Sequence, residues 1–209
     1  MRLRLWVLWM LVLAALTTLS GCDKLGSPAA APAKTLKFQG VDISGADYGR
    51  KLSLTDQDGH PRTLADFKGK VTLVFFGYTQ CPDVCPITMA ELAQVKKSLG
   101  ADGARVQGVF VTVDPERDTP EVLKSYMSGF DPSFVALRGT PEQTMAAAKE
   151  FKVFYAKEPG RTEGSYTVAH TAASFILDAD GKIRVFVRYG SGAPALAADL
   201  KTLLDAAAV

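Results

Sequence analysis

Tryptophan is confined to Trp6 and Trp9, histidine to His60 and His170, and cysteine to Cys22, Cys81 and Cys85. Both tryptophans fall in the first apolar run, so the body beyond it must build its core from Phe, Tyr, Leu and Val. No cluster of Lys and Arg occurs in that body, and the formal charge of +2 is accounted for by Arg2 and Arg4, in a segment that carries no acid from Met1 to Gly21. A neutral body without concentrated cationic charge excludes a nucleic-acid partner, because phosphate binding needs such charge. Long apolar runs are missing too. The longest, Leu5 to Leu16, has twelve residues, short for a bilayer span of about 20 but right for the core of a signal peptide behind its two arginines.

What is present begins with that leader. "LSGC" at Leu19–Cys22 resembles a bacterial lipobox, in which cleavage follows acylation of the cysteine thiol. The expectation is a signal peptide over residues 1–21 and a mature chain that starts at a lipidated Cys22. Asp23 resembles the residue that in enteric bacteria keeps such lipoproteins at the inner membrane. Residues 22–40 open with the Pro/Ala-rich "DKLGSPAAAPAK" and read as a lipid-anchored flexible tether. Residues 41–209 read as one domain, and the 47% apolar content of the whole sequence suits a packed core.

Within the domain, "KLSLTDQDGHPRTL" places two short runs around Asp58-Gly59 and predicts an added β-hairpin. "VTLVFFGYT" (Val71–Thr79) and "RVQGVFVTVD" (Arg105–Asp114) are continuous β-branched and aromatic runs, the pattern of strands buried on both faces. Between them, Met89, Leu92, Val95 and Leu99 recur at helical spacing in a helix predicted over Ile87–Leu99. Further helices follow Thr119-Pro120, as N-cap and first helical residue, and Thr140-Pro141, where Gln143 completes a capping box, with a short strand over Phe134–Gly139 between them. Strand, turn and strand around Asp180-Gly181 and a helix over Ala193–Ala207 close the chain. Strands alternating with helices and then a β-hairpin plus helix predict an α/β, thioredoxin-like fold: a mixed central sheet flanked by helices.

Cys81 and Cys85, in "TQCPDVCP", sit between a buried strand and a helix start. Free N–H groups and the dipole there favour thiolates, which are both better nucleophiles and better metal ligands. In an exported protein the pair also suits a disulfide. Helical residues four apart hold their Cβ atoms about 5–6 Å from each other, whereas a disulfide needs about 3.8 Å. Pro82 and Pro86 restrict the loop, so closure remains open to an oxidised form, while two thiolates on a metal fit with less distortion. A metal needs further donors. His60, beside a predicted turn, reads as an exposed loop residue; His170 precedes a strand expected to start near Ala172, in a loop that a thioredoxin-like sheet sets beside the cysteines. Thioredoxins carry a cis-proline in that loop, but here no proline lies between Pro159 and Pro194. Cys81, Cys85 and His170 thus form a candidate site, open on the residues alone to copper or zinc. Asp83 and Asp114 are candidates to act around it; Arg117 and Asp118 read as a local pair or helix cap.

"FFGYTQCPDVCP", "TVDPERDTP" and "AHT", in this order and spacing, resemble the Sco/SenC family of thioredoxin-like copper proteins of the respiratory membrane, over about Leu52 to Ala207. The resemblance implies that Cys81, Cys85 and His170 bind one copper ion, as Cu(I) or Cu(II). It implies a role in metallating the dinuclear copper site of cytochrome c oxidase subunit II, with another periplasmic copper chaperone as a further partner; joined to the lipobox reading, it leads to the expectation of a lipoprotein of the bacterial inner membrane that faces the periplasm. A metallochaperone is therefore expected rather than an enzyme. The rival is a thiol/disulfide oxidoreductase that reduces the target's ligand cysteines through Cys81 and Cys85. A peroxidase would need an activating Arg and Thr around one cysteine, a motif this chain does not show.

Overall fold

The computed structural model describes residues 36–207; the expected leader, Cys22, Asp23 and the expected tether as far as Thr35 lie outside the described residues. In chain order the elements are β1 (Val41–Asp42), β2 (Ser53–Asp56), β3 (Pro61–Thr63), β4 (Val71–Gly77), α1 (Val84–Ser98), β5 (Val106–Thr112), α2 (Pro120–Ser128), β6 (Val135–Arg138), α3 (Pro141–Glu150), β7 (Tyr155–Pro159), β8 (Tyr166–His170), β9 (Ala173–Leu177), β10 (Ile183–Arg188) and α4 (Ala193–Ala206).

The two apolar runs become β4 and β5, parallel neighbours in register from Val71↔Val106 to Gly77↔Thr112 and buried along their whole length. They sit centrally in an eight-stranded mixed sheet of order β1-β10-β9-β4-β5-β6-β2-β3. Strand pleating sends adjacent side chains to opposite faces. Phe75 therefore packs towards Phe110, which meets Tyr126 of α2, while Phe76 packs against Phe151 at the end of α3. The predicted hairpin forms as β2–β3 and joins the sheet edge through pairing of β2 with β6. The other forms as β9–β10, with Gly181 at φ 81 in its turn, a conformation that glycine adopts without a Cβ clash. This is the thioredoxin-like α/β architecture with an added hairpin that the strand and helix pattern predicts.

Both predicted caps are in place. The Thr119 side chain accepts from the Val122 N–H, and Thr140 and Gln143 cap each other reciprocally at α3. Ahead of β1, Leu36 and Phe38 pack against the core, and the Gln39 and Gly40 N–H groups donate to the buried Asp199 carboxylate at 2.6 and 2.9 Å. Two features differ from the sequence pattern. Helix α1 begins at Val84 instead of Ile87, which puts Cys85 inside its first turn, where Pro86 needs no hydrogen-bonded N–H. His170 ends a strand instead of lying in a loop: β7 and β8 form a separate antiparallel hairpin in which Tyr155 is opposite His170. Among the described residues no helix is long and apolar enough to cross a membrane.

Candidate metal centre

Three elements deliver the candidate donors. Strand β4 runs through the core and ends at Gly77, and the loop after it turns back through a bond from the Cys81 N–H to the Tyr78 carbonyl at 3.2 Å. Cys81 is left half-buried there, and the first turn of α1 places Cys85 fully out of solvent. A Cβ on Gly77 would lie 2.8 Å from Cys85 Sγ and 2.8 Å from the Phe75 ring. Glycine at that position thus makes the space the sulfur occupies. His170 arrives from β8, with Nε2 3.4 Å from Cys85 Sγ. Its Nδ1 lies 3.2 Å from the Thr171 carbonyl oxygen, which leaves Nε2 facing the sulfurs. Phe75 and Tyr78 each meet the imidazole edge-on at 5.9 Å and fix the ring plane.

The sulfurs of Cys81 and Cys85 and a ring nitrogen of His170 all lie within 4.8 Å of one another, and both cysteines are free thiols. Their acidities are driven apart. Cys81 is held down to about 4, chiefly by the Cys85 thiol, with further hydrogen bonds from His170 and from the N–H groups of Asp83 and Cys85. The last of these spans 3.4 Å from Cys85 N to Cys81 Sγ. Cys85 is pushed up, first because its proton serves as donor to Cys81 and then by burial. The pair therefore shares one proton, with the charge on the sulfur nearer solvent. Two soft sulfurs and an imidazole nitrogen make a donor set for a soft or borderline cation.

The "VDPERDTP" segment supports this site, and its pairing differs from the sequence reading. Arg117 pairs with Asp114, not with Asp118. Asp114 is fully buried, and its Oδ1 accepts from the Tyr166 hydroxyl at 2.8 Å. It touches β8 without reaching the three donors. Asp118 caps no helix. Its carboxylate accepts from the Thr79 hydroxyl at 2.6 Å, the Thr79 N–H at 3.2 Å and the Thr112 hydroxyl at 2.5 Å, which pins the start of the cysteine loop to the end of β5. Burial is the leading cause that raises the Asp118 pKa above the ordinary carboxylate value. Asp83 is exposed on the cysteine loop, and His60 belongs to the β2–β3 hairpin, where Nδ1 lies 3.4 Å from Asp56. Gly77, Tyr78 and Tyr166 were not singled out from the sequence. A glycine inside an otherwise bulky buried strand was the readable sign of a close approach.

Residues 41–205 match the SCO1/SenC family. An SCO2-like protein of Rickettsia felis is 36% identical over 135 residues, which cover 64% of this chain and 66% of that protein. The mitochondrial SCO2 homolog of Mus musculus is 41% identical over 132 residues, 62% of this chain and 52% of that protein. The match thus spans between about half and just under two thirds of these relatives' lengths. The structure of Bradyrhizobium japonicum ScoI with copper bound is similar with a TM-score of 0.68 and 40% identity, over 75% of this chain and 99% of that one. With its matched length and its fold, the chain belongs to the SCO1/SenC family.

Proposed function

We propose that this protein is a membrane-tethered copper chaperone that holds copper through Cys81, Cys85 and His170 and helps metallate the dinuclear copper site of cytochrome c oxidase subunit II. The observation that carries the reading is the convergence of the two sulfurs and the imidazole within 4.8 Å, from a loop, a helix and a separate hairpin. Copper is the cargo. Two thiolates and one nitrogen suit Cu(I) in a trigonal arrangement and tolerate Cu(II) with a further weak ligand. A structural zinc site would draw on a fourth protein ligand, and among the described residues no further Cys, His, Asp or Glu joins the group. Similarity to a ScoI with copper bound supports the same choice.

Asymmetry between the sulfurs gives the transfer a direction. Cys81 is half-exposed and Cys85 fully buried, so an incoming thiolate of the acceptor meets copper from the Cys81 side, and Cys81 is the donor that lets go first. Cys22 would anchor the chain in the inner membrane with the domain in the periplasm, close to a membrane-bound acceptor, and a periplasmic copper chaperone would load it. Copper titration under reducing, anaerobic conditions tests the site. His170→Ala is expected to weaken Cu(I) binding by more than the roughly 10- to 100-fold that removing a group which only orients a ligand brings, and Cu(I) held as firmly as by the parent would refute a three-donor site.

One observation favours a second reading. A free thiol pair with Cys81 held to about 4 is also poised for thiol/disulfide exchange. Oxidase assembly lost in Cys81→Ser but intact in His170→Ala would assign the protein to reduction of the acceptor's cysteines.

A further inference from the structure

The β7–β8 hairpin that carries His170 is a sheet of its own, and Val168 is its one fully buried side chain. Side chains must therefore hold it in place against the cysteine loop. Arg117, in the loop between β5 and α2, reaches both. Its Nε pairs with Asp114, and its Nη1 donates to the Tyr166 carbonyl on β8 at 2.9 Å and to the Gln80 side chain beside Cys81 at 3.1 Å. The guanidinium also lies 3.7 Å from the centroid of the Tyr166 ring and 5.7 Å from that of Tyr78, the residue that meets His170 edge-on. Next to it, Glu116 pairs with Lys157 of β7 at 2.7 Å.

We infer that Arg117 is a positioning residue that sets the spacing between the His170 strand and the cysteine loop, acting through Tyr166 and Gln80 without touching the metal. The inference rests on the copper-site reading for its consequence, but not for the clamp itself. A guanidinium can do this because its planar fork donates in two directions while its face stacks on an aromatic ring; an ammonium keeps the charge beside Asp114 and loses both the second direction and the stack. Once the clamp is loosened, His170 swings with the hairpin, whereas Cys81 and Cys85 stay on β4 and α1.

The test compares the parent with Arg117→Lys and Tyr166→Phe in the full chain, by amide hydrogen exchange on the metal-free protein and by electron paramagnetic resonance after loading with Cu(II). In Arg117→Lys, amides of residues 155–170 are expected to exchange about tenfold faster, the effect of losing one charge-assisted hydrogen bond, while amides of β4 and β5 keep the parental rates. Nitrogen coupling to copper should fall while thiolate-to-copper absorption persists. Tyr166→Phe, which keeps the stack and loses only the bond to Asp114, should show a smaller acceleration confined to the same hairpin. Parental exchange in the hairpin, or exchange raised equally in β4 and β5, would overturn the inference. Absence of nitrogen coupling in the parent would instead refute the copper-site reading, and the exchange contrast would still decide the clamp.

Discussion

An ordinary thiol with a pKa of about 8.5 is only about 0.3% ionised at pH 6, whereas Cys81, held to about 4 by the Cys85 thiol first and then by His170 and two backbone N–H groups, is almost wholly thiolate. That is roughly 300-fold more thiolate. Intrinsic nucleophilicity moves the other way: with a Brønsted slope of about 0.4–0.5, the drop in pKa slows each thiolate roughly 60- to 180-fold. The two effects nearly cancel at pH 6, so the absolute rate of alkylation decides little. The shape of the pH profile decides. Alkylation of the Cys81 peptide by iodoacetamide, followed by mass spectrometry on reduced protein, should be flat from pH 6 to 9 and fall only as pH drops towards 4, while Cys85 stays protected. Cys85→Ala removes the largest cause and should move the midpoint up towards the ordinary thiol range. Stability follows the same linkage. A folded pKa below the unfolded one contributes stability that is complete above about pH 8.5 and is lost as pH falls towards the folded value. The urea midpoint of the reduced parent should therefore gain on that of Cys81→Ser between pH 5 and 8. A rate that rises about tenfold per pH unit between 6 and 8, as for an ordinary thiol, would refute the hydrogen-bonded thiolate.

Other expectations concern the residues that build the site. Gly77→Ala sets a methyl 2.8 Å from both Cys85 Sγ and the Phe75 ring. That overpacking should cost about 1–3 kcal/mol, read as a fall in melting temperature of roughly 2–10 °C together with weaker copper binding; a variant that melts and binds like the parent would refute the close approach. Asp118→Ala strands the Thr79 and Thr112 donors, which should lower stability by about 1–3 kcal/mol in urea titrations. Thr140→Ala removes the capping box of α3, far from the metal donors in sequence. It should cost about 1 kcal/mol in thermal melts and leave copper affinity unchanged.

Legibility in the sequence followed burial and local chemistry. The unbroken apolar runs of β4 and β5 and the Thr-Pro starts of α2 and α3 announce themselves because each is decided within a few residues. Cys81, Cys85 and His170 stood out because few residue types can serve as soft donors, and the family resemblance selected copper among the metals they admit. The β7–β8 hairpin was silent because "YAKEP" and "YTVAH" are mostly half-buried or exposed and only Val168 is buried outright. The start of α1 was misplaced because Pro86 reads as a barrier, although in a first turn its missing N–H removes no hydrogen bond. Pairing of Arg117 with Asp114 and of Asp118 with Thr79 could not be read from a charged string in which either acid was available. Which acid faces β8 and which faces the cysteine loop is decided only when β5 and the loop after β4 lie side by side.

X-ray absorption at the copper edge of the loaded full chain tests the central claim most directly. The site predicts a shell with the two sulfurs of Cys81 and Cys85 and one imidazole nitrogen, the nitrogen vanishing in His170→Ala and one sulfur in Cys81→Ser. A shell of oxygen and nitrogen alone, or one unchanged by either substitution, would contradict it.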